Sequence, residues 1–203
     1  MIKRKGLLIV VSGPSGAGKG TICKELLKRR DIDVSVSATT REPREGEIDG
    51  ENYHFLEKDE FENKIENDEF LEYAKVYDNY YGTPKKYVLE KISRGEDVLL
   101  EIDIQGALQV REKYPEGIFV FILPPSMEEL KARIINRGSE TKESLEKRFS
   151  SAYGEIKYLK KYDYFIINDI IEDATDTLVS IIDAEKNRVD EDVEDIISNF
   201  RHN

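Results

Sequence analysis

The fold is decided by the stretch Gly13-Pro14-Ser15-Gly16-Ala17-Gly18-Lys19-Gly20-Thr21. It follows an apolar run at residues 7–11 and precedes residues 22–30, whose apolar positions have helical spacing. A glycine-rich loop between a strand and a helix is the context of a phosphate-binding loop. Its backbone N–H groups surround an anion, and the helix N-terminus and Lys19 add positive charge. We expect this loop to bind nucleotide phosphates rather than to form a plain strand–helix turn.

The composition limits the partners of the chain. Its 203 residues include 31 lysines and arginines against 42 aspartates and glutamates, a formal net charge of -11. This charge disfavours nucleic acid or an anionic membrane as the main partner, so local arginines have to bind an anionic substrate.

The one cysteine, Cys23, excludes an internal disulfide and fits a small buried residue better than a catalytic thiol. No apolar window approaches the roughly 18 residues of a membrane span, and no signal-peptide cleavage site follows the basic N-terminus. We therefore expect a cytoplasmic protein.

Apolar runs that alternate with helical patterns predict an α/β fold. Three runs have the length of buried parallel strands, namely residues 7–11, 98–102 and 118–123, and residues 164–167 are a shorter fourth candidate. The helical patterns between them favour a parallel sheet that is covered on both faces. Three shorter, alternating runs predict a smaller, partly antiparallel lobe: residues 34–37, 53–56 and 70–77.

We expect a single domain over residues 1–203 in which two segments leave a parallel-sheet core. The core is expected at about residues 1–34, 90–125 and 160–203, an inserted small mixed α/β lobe at about residues 35–89, and a helical lid at about residues 126–159. The lid would include a charged helix over residues 142–162, and a final helix would run from residue 173 to about 189. Other helix starts are predicted at the capping-box-like Asp59-Glu60-Phe61-Glu62, at Pro84 with Thr83 as N-cap, and after Ser126.

Arg41 and Arg44 lie in a segment with the features of a phosphate-monoester site. They are three residues apart across a proline, with hydroxyl residues before them and Gly46 after them. The planar guanidinium group matches phosphate oxygens better than an ammonium group does. The competing interpretation is an exposed loop in which the two arginines pair locally with Glu42 and Glu45.

Glu72 lies on an alternating strand beside apolar side chains. Alternation places it on the same face as Phe70, with Leu71 and Tyr73 on the other face. A carboxylate in such a place can accept hydrogen bonds from a purine ring N–H and an amino group together. The alternative is a solvated strand glutamate.

Glu101 lies in the apolar strand predicted at residues 98–102, and Asp103 follows that strand. The two acids are two residues apart and share one face, which predicts an acid pair on a buried strand with a cation nearby. A carboxylate at such a strand end lies on the magnesium side of nucleotide-binding folds, so Mg2+ is the expected cofactor. Its direct ligand stays open, because Gly20 follows Lys19 where a serine or threonine hydroxyl usually helps to hold the metal. Coordination through water is expected, with Asp103, Glu101 and Thr21 as candidates.

Arg133 and Arg137 are four residues apart on one face of a predicted helix, and Arg148 follows beyond the next turn. Such arginines on a moving lobe could neutralise transferring phosphates and exclude water. The alternative is a pair between Glu129 and Arg133, with the other arginines solvated.

Together these segments resemble the guanylate kinase family. The resemblance extends from the glycine loop to Asn168-Asp169. The most specific motifs are, in chain order, residues 37–46, Tyr53, Glu72, Tyr81-Gly82-Thr83, the run from Glu101 to Gly106 and the run from Arg137 to Thr141. The resemblance implies a P-loop kinase that transfers the γ-phosphate of ATP to GMP with magnesium, by direct in-line transfer.

The resemblance also implies roles for individual residues. ATP would be bound by the loop from Gly13 to Thr21 and by Asn168. GMP would be bound by Ser37, Arg41, Arg44, Tyr53, Glu72, Tyr81, Thr83 and Asp103. Glu72 would accept from the guanine N1–H and amino group. The catalytic set would be Lys19, Arg41, Asp103, Arg133, Arg137 and Arg148.

Two other functions remain open from the sequence. One is a guanylate-kinase-like module that binds peptides without activity, against which the intact glycine loop argues. The other is a kinase for a different nucleotide or a ribose phosphate. The sequence does not decide between GMP and dGMP as substrates, and it leaves the oligomeric state open.

Overall fold

The long apolar runs of the chain form one parallel sheet. The computed structural model describes residues 4–76, 78–136, 149, 152–189, 193 and 197–198. The strands of this sheet lie in the order β2 (Asp33–Val34), β7 (Val98–Glu101), β1 (Leu8–Ser12), β8 (Ile118–Leu123) and β9 (Tyr164–Ile167). All neighbouring pairs are parallel. Strand β1 is hydrogen-bonded on both sides, and its apolar side chains are buried.

Helices cover both faces of this sheet. Helices α1 (Lys19–Arg29) and α6 (Ile171–Glu185) pack on one face, and helices α3 (Lys85–Ser93) and α4 (Ile104–Lys113) pack on the other. Successive residues of β1 divide between the two cores, because Ile9 belongs to the first and Val10 to the second. The predicted parallel α/β core is thereby confirmed.

A second, smaller sheet has four strands in the order β4 (His54–Phe55), β3 (Ala38–Thr39), β6 (Asn79–Pro84) and β5 (Phe70–Val76). Pairs β3–β6 and β5–β6 are antiparallel, and β3–β4 is parallel. Helix α2 (Lys58–Glu66) covers it with Phe61, which stacks on Phe70 at 4.4 Å and on Tyr80 at 5.3 Å between ring centroids. The mixed sheet agrees with the expected inserted lobe, while the exact division into core, lobe and lid stays a prediction.

Two details of the strand prediction are wrong. Of the run expected at residues 34–37 in the smaller lobe, only Val34 lies in a strand, and this strand, β2, pairs with β7 at the edge of the central sheet. Strand β3 of the small sheet begins after the run, at Ala38. The strand expected at residues 98–102 ends at Glu101, and Asp103 already caps helix α4.

The predicted helix ends are partly wrong. Helix α2 starts at Lys58, which places Asp59 and Glu60 in its first turn. Carboxylates at this end of a helix interact favourably with the helix dipole. Thr83 does not cap α3, since it lies in β6 and its hydroxyl donates to Glu72. Ser126 does cap helix α5 (Met127–Asn136), because its Oγ accepts from the N–H of Glu129 at 3.1 Å.

The segments near the C-terminus also differ from the prediction. Helix α6 begins at Ile171 and ends at Glu185, four residues before the predicted end. Of the charged helix expected over residues 142–162, residues 142–148, 150 and 151 lie outside the described part; residues 152–156 are helical, and Lys157–Lys161 form a 3₁₀ turn.

The burial predicted for Cys23 is confirmed. Cys23 lies on the buried face of α1 within the core, and burial raises the pKa of its thiol to about 12, which fits a packing residue. No helix within the described residues is long and apolar enough to cross a membrane.

We predict that Leu178→Ala destabilises the fold by about 3 kcal/mol, because Leu178 is fully buried between α6 and the sheet and its loss leaves a cavity. Ile171→Ala in the exposed first turn of the same helix is the control and should change the free energy of unfolding by less than about 1 kcal/mol. Urea denaturation of both variants measures the difference, and equal losses would contradict this account of the core.

Candidate active site

The glycine loop leaves the carboxyl end of β1 and leads into α1, with Lys19 as the first helical residue. The Lys19 ammonium donates to the carbonyl oxygens of Gly13 at 2.6 Å and Pro14 at 3.2 Å. Burial lowers the pKa of Lys19, and the negative charges of Glu101, Glu155 and Asp103 partly oppose that change. The loop therefore presents a half-buried cation whose bonds to two carbonyl groups can be exchanged for bonds to an anion.

Asn168, directly after β9, supports the loop from the other side. Its Nδ2 donates to the carbonyl oxygen of Ala17 at 2.7 Å, and the residue is only 3% exposed to solvent. Gly18 has a φ of 94°, and a Cβ on it would lie 2.1 Å from that same Nδ2. Only glycine fits both the left-handed backbone and this close contact. Asn168, expected on the ATP side, thus touches the loop itself.

Glu101 lies next to the unusual glycine of the loop. A Cβ on Gly20 would be 3.3 Å from Glu101 Oε1 and 3.4 Å from Oε2. The carboxylate therefore occupies space beside the position where a serine side chain would stand. Glu101 is exposed at the end of β7, so the predicted acid pair on a buried strand is wrong in this respect.

The carboxylates of Glu101 and Asp103 fit a magnesium ion that is shared with a phosphate ligand. Within the described ranges, no three or more His, Cys, Asp or Glu side chains form a ready metal cluster. Magnesium usually takes only one or two protein carboxylates and completes its shell with phosphate oxygens and water. Glu101 beside Gly20 offers the required hard oxygen ligand next to the phosphate loop.

Arg41 lies in an aromatic cluster on the small sheet. Its guanidinium carbon is 5.5 Å from the ring centre of Tyr53, and Tyr53 meets Tyr81 edge-on at 6.0 Å. Arg41 Nη2 also donates to Glu47 Oε1 at 2.9 Å, and this bond raises the pKa of Arg41 and lowers that of Glu47. The structure thus brings together three of the residues predicted to bind a phosphate monoester.

Glu47 is a residue that the sequence analysis missed in this role. Its second oxygen accepts the backbone N–H of Arg44 at 2.7 Å, so one carboxylate holds both arginine positions of the loop. The local partners considered from sequence were Glu42 and Glu45, but Arg41 contacts only the backbone carbonyl of Glu42. No spacing rule distinguished Glu47 from its acidic neighbours. Only the turn that ends at Glu47, whose N–H donates to the Arg44 carbonyl, brings it back to Arg41.

Glu72 is buried, which excludes the solvated strand glutamate. It is 7% exposed, and its Oε1 accepts from the Thr83 hydroxyl at 2.6 Å across the β5–β6 pair. Burial raises the pKa of Glu72 to about 7, the nearby Asp103 charge adds to the increase, and the Thr83 bond opposes it. Ser37, another residue that the resemblance assigns to GMP binding, is half-buried beside β3, and its carbonyl accepts from the N–H of His54 at 2.9 Å.

Of the expected lid arginines, Arg133 is described and Arg137 and Arg148 lie outside the described residues. Arg133 Nε donates to Glu129 Oε1 at 2.8 Å, which is the local pair considered from sequence. Its Nη1 also donates to the backbone carbonyl of Asn168 at 3.0 Å. Arg133 therefore links α5 to the residue that supports the glycine loop.

The comparison with known proteins agrees with this geometry. The sequence profile described as guanylate kinase matches residues 5–185. The chain belongs to the guanylate kinase family. Guanylate kinase from Clostridium acetobutylicum is 66% identical over 97% of this chain and 94% of its own length. That of Clostridioides difficile is 59% identical over 99% of this chain and 98% of its own length.

A solved guanylate kinase also resembles this structure. The crystal structure of guanylate kinase from Anaplasma phagocytophilum superposes with a TM-score of 0.74 at 36% sequence identity. It covers 93% of this chain, and this chain covers 90% of it. The P-loop kinase fold and the family that the motifs predicted are both confirmed.

We predict that the free energy of unfolding of this protein falls as the pH rises, because of Glu72. A carboxyl group whose pKa is about 7 in the folded state, against an ordinary value of 4.5, stabilises the folded state below pH 4.5. This contribution is lost as the pH rises through 7. Relative to Glu72→Gln, the wild type should lose at most about 3 kcal/mol of unfolding free energy between pH 4.5 and pH 8.

Urea denaturation at a series of pH values tests this prediction. Glu69→Gln is the matched control, because Glu69 is exposed at the start of the same segment. Its stability should follow the wild type at every pH. Parallel curves for the wild type and Glu72→Gln would contradict the burial argument.

Proposed function

We propose that this chain transfers the γ-phosphoryl group of ATP to GMP, giving ADP and GDP. The observation that carries the proposal is the buried Glu72 carboxylate, which Thr83 holds at one oxygen on the small sheet. It is combined with a complete glycine loop and with relatives named guanylate kinase at 59–66% identity over nearly the whole chain. A peptide-binding module without activity needs neither the intact Lys19 nor this carboxylate.

On the acceptor side, the aromatic cluster around Arg41 binds the phosphate of GMP. Exchange of the Glu47 contact for a phosphate frees the planar guanidinium group for bidentate bonds. The guanidinium group lies against the Tyr53 ring, which Tyr81 contacts edge-on. Arg44 adds a second cation from the same loop. Glu72 then accepts from the guanine N1–H and amino group, which adenine does not offer in that arrangement.

On the donor side, the loop from Gly13 to Thr21 binds the ATP phosphates. Its backbone N–H groups and the N-terminus of α1 favour an anion, and the Lys19 ammonium turns from the Gly13 and Pro14 carbonyls to the phosphates. Asn168 keeps the loop in place through Ala17 and borders the ATP site.

The reaction needs no covalent enzyme intermediate, because alignment and charge neutralisation are sufficient for phosphoryl transfer. Lys19 stabilises the charge that develops on the transferred group, and Arg133, Arg137 and Arg148 add cations from the lid. When bound, magnesium neutralises phosphate oxygens. Glu101 and Asp103 are the residues that would hold it, in part through water, with Thr21 as a weaker candidate.

We also propose the division of the domain that was expected from the sequence. The central sheet is the core, the small sheet is the GMP-binding lobe, and residues 126–159 are assigned to the lid. A place in purine nucleotide metabolism follows from GMP and GDP as substrate and product. The cytoplasmic location stays a prediction.

We predict that Lys19→Ala reduces kcat/KM for ATP and GMP by about 10²-fold or more, because one preorganised cation is lost at the transferred phosphate. Lys24→Ala is the matched control, since Lys24 is exposed on the same helix. A coupled assay of ADP release measures both variants. Normal turnover by Lys19→Ala would contradict the assignment of the loop.

We predict that the wild type phosphorylates GMP and leaves AMP, UMP and dTMP nearly untouched in the same assay. Glu72→Gln should lower kcat/KM for GMP by about 10²-fold or more, because an amide cannot accept both guanine donors and leaves one unpaired. The preference for GMP over AMP should fall accordingly. Activity on AMP alone, or unchanged discrimination in the variant, would overturn the proposed substrate.

A further inference from the structure

The strand that carries Glu72 is attached to helix α4 of the central core as well as to its own sheet. The Lys113 ammonium donates to the carbonyl of Phe70 at 2.7 Å. The Gln109 side-chain amide accepts from the N–H of Tyr73 at 3.1 Å and donates to its carbonyl at 2.9 Å. Between these contacts, Leu71 packs in the core cluster that also contains residues of α4. Residues on both sides of Glu72 are therefore bound to α4.

Gly106 of α4 lies directly against the Glu72 carboxylate. A Cβ built on Gly106 would be 2.8 Å from Glu72 Oε2 and 3.1 Å from its Cδ. The other carboxylate oxygen, Oε1, is held by the Thr83 hydroxyl at 2.6 Å. The carboxylate is thus confined between a hydroxyl donor and a helix surface without a side chain.

The backbone of α4 does not itself require glycine at this position. Gly106 lies inside the helix and is not among the glycines with positive φ. Its N–H donates to Asp103 Oδ1 at 2.8 Å, which is an N-cap bond that any residue except proline can make. Helix propensity alone would favour alanine. The feature that needs glycine is the space taken by the Glu72 carboxylate.

We propose that Gly106 is a specificity-determining positioning residue, whose missing side chain sets where Glu72 presents its carboxylate to the guanine base. This inference rests on the proposed function. Any side chain at residue 106 displaces Oε2, because a carbon atom cannot stay 2.8 Å from it. The Thr83 bond and the close packing leave the carboxylate little room to move as a unit. Its two oxygens then no longer match the guanine N1–H and amino group together.

Gly106→Ala is the test, with Glu112→Ala as the control. Glu112 is an exposed residue of the same helix α4. For Gly106→Ala we expect KM for GMP to rise about tenfold or more and the GMP-to-AMP selectivity to fall, with KM for ATP unchanged. Glu112→Ala should keep the wild-type KM for GMP. A purely structural role for Gly106 would change stability without this selective rise in KM.

The double variant Gly106→Ala with Glu72→Asp isolates the contact. Aspartate is one methylene shorter, so it leaves room for the new Cβ. Glu72→Asp alone weakens GMP binding, but adding Gly106→Ala to it should raise KM by less than about threefold, which makes the two changes non-additive. If Gly106→Ala lowers the melting temperature, Glu72→Asp should restore it.

The outcomes distinguish a failure of the proposed function from a failure of the role of Gly106. A wild type that does not phosphorylate GMP would refute the proposed function. A wild type that does, together with an unchanged KM in Gly106→Ala, would overturn the role of Gly106 alone. Equal effects of Gly106→Ala in both backgrounds, or a loss of stability that Glu72→Asp does not restore, would overturn it as well.

Discussion

The structure depends on the burial of strand β1 between two parallel neighbours. Strands β7 and β8 saturate its hydrogen bonds on both sides, and its alternating side chains enter the two cores of the domain. Its carboxyl end is therefore held in place by the whole sheet. The glycine loop starts from this rigid point, and because every strand is parallel, the ends of β7 and β9 deliver Glu101 and Asn168 to the same edge.

Local contacts, and not the net charge, make this edge suitable for anions. The chain carries a formal charge of -11, which repels phosphates at long range. Lys19 is half-buried and donates to the carbonyl oxygens of Gly13 and Pro14, and the charges of Glu101, Glu155 and Asp103 offset part of the decrease in its pKa. Arg41 is in turn held by Glu47 and the Tyr53 ring. Backbone carbonyls thus position the first cation, and an acidic and an aromatic neighbour position the second.

Helix α4 connects the two sheets. At its N-terminus, Asp103 caps the helix close to the glycine loop, and along its length Gly106, Gln109 and Lys113 bind strand β5 of the small sheet. The residue near the glycine loop and the residues that contact β5 thus lie on one helix. This arrangement explains how a carboxylate on a small four-stranded sheet can be buried and held against the larger core.

The sequence alone was sufficient for the elements whose signal is local. The glycine loop, the three buried strands β1, β7 and β8 and the Ser126 cap were predicted from composition and spacing, because turn geometry, burial on both faces and capping act over a few residues. The shorter run at residues 164–167 also forms a strand, but an edge strand with Phe165 and Ile167 exposed. The guanylate kinase family was also accessible, since its motifs occur in order along the chain. Local patterns failed at Thr83 and at residues 34–37, where a tertiary partner outweighed the capping or alternation signal.

The tertiary structure decided which side chains meet. Glu47 was one of several acidic residues until the loop brought it to Arg41, and Asn168 met Ala17 across 151 positions of the chain. In the sequence Gly106 is only one residue of a motif, and only the folded chain places its Cα against the Glu72 carboxylate. The sequence by itself determined the elements and the chemistry that they carry. Distances between remote residues, and with them the pKa of Glu72 and the fit around it, were determined only by how the two sheets pack on α4, because burial and contact are properties of the folded chain.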